Sequence, residues 1–140
     1  MCHYTGMNRA IYLKAILAFG IASTAIHFTH NFVAIEDYPQ SDLIPNWVVQ
    51  TAIVASWPIF TWLAIQGYRL YVRGDVRAAR PRLLWYAAWS MFSLGHFTEG
   101  NPDIPPVFYA TIFTDVLAGV LVVGFVAWST RARRAVPSSA

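Results

Sequence analysis

All ten Lys and Arg residues of this chain lie in three short stretches, separated by apolar segments about one membrane-width long. Arg9 and Lys14 stand at the start of the first apolar run. Arg69, Arg73, Arg77, Arg80 and Arg82 fall between the second and third runs, and Arg131, Arg133 and Arg134 follow the fourth. The two other connections, Glu36 to Pro45 and Glu99 to Pro106, hold no basic residue but carry Glu36, Asp37, Asp42, Glu99 and Asp103. Basic residues beside membrane spans are retained in the cytoplasm. The pattern therefore predicts an all-α integral membrane four-helix bundle, multi-pass in the cytoplasmic membrane, with both termini cytoplasmic.

Composition points the same way. A chain that is 56% apolar and 12% charged, with six Trp, is too apolar for a soluble domain of this length. Its formal charge of +3 does not indicate nucleic-acid binding. The basic residues border apolar spans, so membrane lipids with anionic headgroups are the expected partners. Cys2 is the single cysteine, which excludes an internal disulfide and any Cys-based zinc motif. The N-terminus resembles a signal peptide, with Ser23-Thr24-Ala25 as a cleavage-like triplet. Cleavage would leave three spans and move the arginine-rich connection outside, so the first span is expected to be retained.

The spans are expected at about 11–35, 46–71, 82–98 and 106–128, within a single domain over 1–134 and before a disordered tail at 135–140. Each is near the ~20 residues that cross about 30 Å of hydrocarbon, the third being the shortest. Trp47, Tyr68, Tyr71, Trp85, Tyr86, Tyr109 and Trp128 fall near span ends, where amphipathic rings belong. Pro58 should kink the second span, Pro81 should precede the third, and Pro105-Pro106 should open the fourth. His27-Phe28-Thr29 closes the first span and His96-Phe97-Thr98 the third. The recurrence predicts two repeated helical hairpins related by an axis along the membrane normal.

The polar residues inside the spans are few. From Lys14 to His27, as from Leu83 to His96, the chain climbs about 20 Å of helix, which puts both imidazoles at similar depth. His27 and His30 share a helical face, as do His96 and Glu99, and Asn31 continues the first face. Asp115 lies about 14 Å into the fourth span, where a charged carboxylate costs about 2.5–3.5 kcal/mol. Its partner must be a histidine, a hydroxyl, a backbone group or water. Thr111 stands one turn away on the same face, and Gln50 in the outer part of the second span. The loop acids are expected to be solvated, and span Ser and Thr residues to glue helices together.

Three functions fit these residues. The first is acid–base chemistry, of an isomerase or cyclase kind, on a small lipophilic or isoprenoid-like molecule. Here His27, His96, Glu99 and Asp115 are catalytic, and Asn31, Gln50, Trp57, Phe97 and Thr111 contact substrate with help from Phe28 and Phe108. No cofactor is needed. The second is a divalent metal (zinc, copper or iron) held by His27, His30, His96 and Glu99, or a haem clamped by His27 and His96. The third is a proton-coupled transporter working through Asp115, for which a homo-oligomer is the expected assembly. The first is preferred.

At the His27–Asn31 and His96–Asp115 segments the chain resembles a group of small, uncharacterised four-span membrane proteins of actinobacterial type. The resemblance covers most of the chain and implies the four-span fold without implying an activity. More loosely, His96 and Glu99 are similar to the histidine and acidic residues of the sterol-isomerase-like four-span fold, known as the EXPERA fold. That likeness implies a lipid-accessible pocket and favours the enzyme reading.

Overall fold

The computed structural model describes residues 2–39 and 43–134, with side chains described for 8–39 and 43–131. The expected disordered tail at 135–140 and Asp42 lie outside the described residues. The chain forms α1 (Cys2–Val33), a 3-10 turn (Ile35–Asp37), α2 (Asn46–Val72), α3 (Val76–Met91), a second 3-10 segment (Phe92–Phe97) and α4 (Pro106–Arg134). The described residues contain no strand. Three of the helices, α1, α2 and α4, hold apolar stretches long enough to cross a membrane, at Asn8–Val33, Asn46–Val72 and Pro106–Arg131.

The third segment departs from expectation at both ends. Its helix starts at Val76, not Arg82, because the Asp75 carboxylate accepts a hydrogen bond from the Ala78 N–H at 3.0 Å and caps it. Pro81 is therefore inside the helix, where it cannot donate to the Arg77 carbonyl. The α-helix stops at Met91, and residues up to Phe97 wind as a tighter 3-10 segment. The two His-Phe-Thr copies thus differ locally. The first lies in an unbroken α-helix, whereas the second straddles the end of the 3-10 segment and the bend after it.

Helices α1 and α2, α2 and α3, α3 and α4, and α4 and α1 pack as neighbours, closing a four-membered ring. Three contacts set α1 antiparallel to α4. The Arg9 guanidinium sits 4.7 Å above the Trp128 ring, the Ser23 and Thr114 hydroxyls meet at 2.6 Å, and the His30 ring stacks 3.7 Å from Phe108. Small residues bring the helices close. A Cβ on Gly119 would meet the Ala87 carbonyl oxygen at 2.8 Å and the Met91 side chain at 2.7 Å.

The two halves of the bundle differ in character. Near the Gly74 turn, Leu13, Leu17, Ala64, Leu83, Ala87, Val122, Phe125 and Val126 form a continuous apolar core. Toward the far end most buried polar residues collect, Ser23, Thr24, His27, Asn31, Ser90, Ser93, Thr111 and Asp115, among the apolar Phe28, Ile35 and Ile112, whereas Ser129 is the buried polar residue at the Gly74 end. The loops at that end are clipped together, the Asp103 N–H donating to the Asp37 carbonyl at 3.0 Å. Gly100 makes this approach in the left-handed region (φ 146°), with Pro39 packed against it.

Candidate functional site

Ser23, His27 and Asn31 recur every four residues on α1 and so share one face. Asp115 meets them from α4. Ser93 and His96 come from the 3-10 segment, whose three residues per turn align positions i and i+3 on the same side. That tightening aims both side chains at the Asp115–His27 pair.

The resulting network is a chain of hydrogen bonds. His27 Nδ1 lies 2.6 Å from Asp115 Oδ2, both side chains being fully buried, and this is the one contact between an acidic and a basic side chain within 4.0 Å among the described residues. Ser93 donates to the same oxygen at 3.1 Å, and Ser23 donates to Oδ1 at 2.5 Å. The carboxylate therefore receives a donor on each oxygen and an imidazole N–H besides, which offsets the cost of its burial. On the other side of the ring, His27 Nε2 is 3.1 Å from His96 Nε2, and the Asn31 amide meets that same atom at 3.1 Å. Both nitrogens of His27 are thus engaged. His96 is half-buried, and its Nδ1 carries no hydrogen bond among the described residues.

Tyr38, from the loop after α1, closes the assembly from above. Its ring lies 4.8 Å from His96 and 6.1 Å from His27, and its hydroxyl hydrogen-bonds His30 Nδ1 at 3.0 Å. Burial, with the nearby charges of Asp37 and Asp115, pushes the Tyr38 hydroxyl up to about 12, so it remains protonated at physiological pH.

Of the expected catalytic residues, His27, His96 and Asp115 come together and Glu99 does not. Glu99 is exposed in the bend after Phe97, where the 3-10 segment has already ended and no longer carries the His96 face on to position i+3. His30 turns away to Tyr38 and Phe108. The expected metal set of His27, His30, His96 and Glu99 is thereby dispersed. Among the described residues, no three His, Cys, Asp or Glu side chains converge as ligands. A haem clamped by His27 and His96 is also unsupported, because the two rings touch each other and leave no slot for a macrocycle.

The expected substrate contacts divide. Asn31 joins the network. Gln50 instead donates to the Phe32 carbonyl at 2.9 Å, and Phe97 packs against Tyr109 and Phe113. The Thr111 hydroxyl turns to the Phe108 carbonyl, leaving only its backbone oxygen near Ser23. Trp57 donates from its indole to Thr24 at 3.3 Å and lines an apolar groove of about 350 Å³ between α1 and α2. Phe28, Phe32, Ile53, Val54 and Pro58 form most of that groove. Phe28 joins groove to network, since its ring lies 5.2 Å from that of His27.

Ser23, Ser93 and Tyr38 were not anticipated as site residues. The two serines did carry a signal, for Ser23 stands one turn before His27 and Ser93 three residues before His96. Tyr38 carried none, because a loop tyrosine next to acidic residues is ordinary. Comparison of the chain with protein-family models, curated proteins and solved structures finds no match.

Proposed function

We propose that this is a cytoplasmic-membrane protein that performs acid–base chemistry on a small lipophilic molecule reaching it from the bilayer. In this reading all four hairpin-linked helical segments cross the membrane. The α3 helix and the 3-10 segment that extends it supply about 24 Å and about 12 Å of rise, enough for one crossing. The arginine-rich Gly74 turn and both termini face the cytoplasm, and the histidine end faces outward. Large apolar side chains exposed around the bundle, among them Val54, Ile59, Trp62, Phe113 and Leu121, support contact with lipid.

The observation that carries the chemical reading is the unbroken Asp115–His27–His96 chain, which ends on an imidazole nitrogen with no hydrogen bond among the described residues. Asp115 fixes the orientation of His27 and faces the imidazolium charge that arises while the ring carries a proton, as a carboxylate does in catalytic carboxylate–imidazole pairs. His27 passes a proton from Nε2 to His96 Nε2, while His96 releases one from Nδ1 to the substrate. An isomerisation that adds a proton at one carbon and removes one from another leaves the relay unchanged overall. His96 is the catalytic residue. His27, Asp115, Ser23 and Ser93 are positioning and proton-storing groups behind it.

The apolar core near the Gly74 turn favours this reading over proton-coupled transport. Among the described residues the polar side chains beyond Asp115 (Thr24, Ser90 and Tyr86) give way to Leu13, Leu17, Leu83, Val122 and Phe125, which favours a relay open to one face.

The test is isotopic. Membranes containing the protein are incubated in heavy water with a lipophilic cell extract, and mass spectrometry follows deuterium at carbon. Wild type should label a discrete species, and His96→Ala and Asp115→Asn should not. Labelling that survives both substitutions would falsify the assignment, as would its complete absence with wild type.

A further inference from the structure

One polar side chain in the network has an end that nothing among the described residues satisfies. Asn31 is only 3% exposed, its Nδ2 meets His96 Nε2, and its Oδ1 has no hydrogen-bond partner. Turning the amide over does not cure this. If Oδ1 instead faced His96 Nε2–H, the two N–H bonds of Nδ2 would be the unpartnered groups. Either orientation strands a buried polar atom, which ordinarily costs about 1–3 kcal/mol unless a ligand or water completes it.

A hydroxyl suits both orientations and is the least polar such group to attach to a hydrocarbon, because it donates to an amide oxygen and accepts from an amide nitrogen. A ketone or ether oxygen accepts only, and an ammonium donates only. The place is also specific. The two ends of the amide share a carbon, so a group bound at the free end lies beside His96. Asn31 itself stands on α1 between Phe28 and Phe32, both of which line the apolar groove with Trp57, Ile53 and Val54. The groove is apolar apart from Thr29, and Asn31 stands outside its lining on the adjoining face of α1.

We propose that Asn31 is the headgroup site for a lipophilic alcohol, whose hydrocarbon part lies in the α1–α2 groove and whose hydroxyl completes the amide. This rests on the acid–base reading only in naming that site's substrate class. It sets specificity by hydrogen bonding, since a buried polar partner left empty penalises the analogue that lacks the hydroxyl.

The experiment uses the full chain in detergent with two photoreactive probes, diazirine-tagged farnesol and the tagged hydrocarbon farnesene. Wild type should be labelled by the alcohol about tenfold more strongly than by the hydrocarbon, at groove residues such as Phe28 and Trp57. Asn31→Leu should retain hydrocarbon labelling, which reports an intact groove, and should reduce the preference to about unity. Trp57→Ala should weaken labelling by both probes. Equal labelling of wild type by the two probes, or a preference that persists in Asn31→Leu, overturns the proposal. Binding is read without turnover, so the outcome is separable from that of the heavy-water test. Alcohol preference without carbon deuteration removes the acid–base reading alone, and deuteration without alcohol preference removes this one.

Discussion

Asp115 was legible from the sequence because an isolated carboxylate inside an apolar span demands a partner, and His27 and His96 were the nearest groups able to provide one. Its two serine donors were not read, since span serines most often bond their own helix, as Ser90 does to the Tyr86 carbonyl. The structure makes a direct prediction here. Asp115→Ala leaves the His27 N–H and two hydroxyls without their common acceptor in a buried site. It should lower stability by about 1–3 kcal/mol, measured by unfolding in detergent. Asp115→Asn keeps the volume but sets an amide against an N–H, and should reduce carbon deuteration by about 10²–10⁴-fold. Tyr38 gives a prediction of pH dependence. Its hydroxyl ionises near 10.0 in the unfolded chain and at about 12 in the fold. The unfolded state thus releases its proton first, and stability falls as pH rises from about 10 to about 12. Melting temperatures across that interval should drop less steeply for Tyr38→Phe than for wild type, and parallel curves would remove the effect.

The helices themselves followed from hydropathy, and α2 and α4 begin where proline and the loop acids placed them. The element that resisted was α3. Five arginines around the Gly74 turn blurred its start, and only the Asp75 cap in the structure fixes it at Val76. Its end could not be read either. Nothing in Phe92-Ser93-Leu94-Gly95 announces a change of helical pitch, yet that change decides whether Ser93 and His96 point inward and whether Glu99 joins them. Close packing holds α3 against α4 at the same height, through Gly119. The Ala87 oxygen that a Cβ there would strike belongs to the backbone and cannot rotate away. Gly119→Val should therefore force the helices apart and cost about 1–3 kcal/mol, measured by denaturant or thermal unfolding in detergent. At Gly124, where a Cβ meets nothing within 4 Å, the substitution Gly124→Ala should be close to neutral or stabilising.

At the scale of the molecule, the gradation from an apolar end to a polar end is what would give the proposed relay a direction. Charge segregation along the chain sets the same axis independently, with arginines at one end and Glu36, Asp37, Glu99 and Asp103 at the other. In the proposed orientation, which rests on the arginines alone, the histidine end faces outward. Glu99 and Asp103 then stand in water beside the relay's mouth, where protons exchange with the medium, and the arginines meet anionic headgroups on the inner surface. Single cysteines introduced after replacing Cys2 test that orientation. Asp103→Cys should react with a membrane-impermeant maleimide in intact cells, whereas Arg73→Cys should react only after permeabilisation. Labelling of Arg73→Cys from outside would place the relay's open end on the cytoplasmic side, and the source of its protons and the leaflet supplying its substrate would both be reversed.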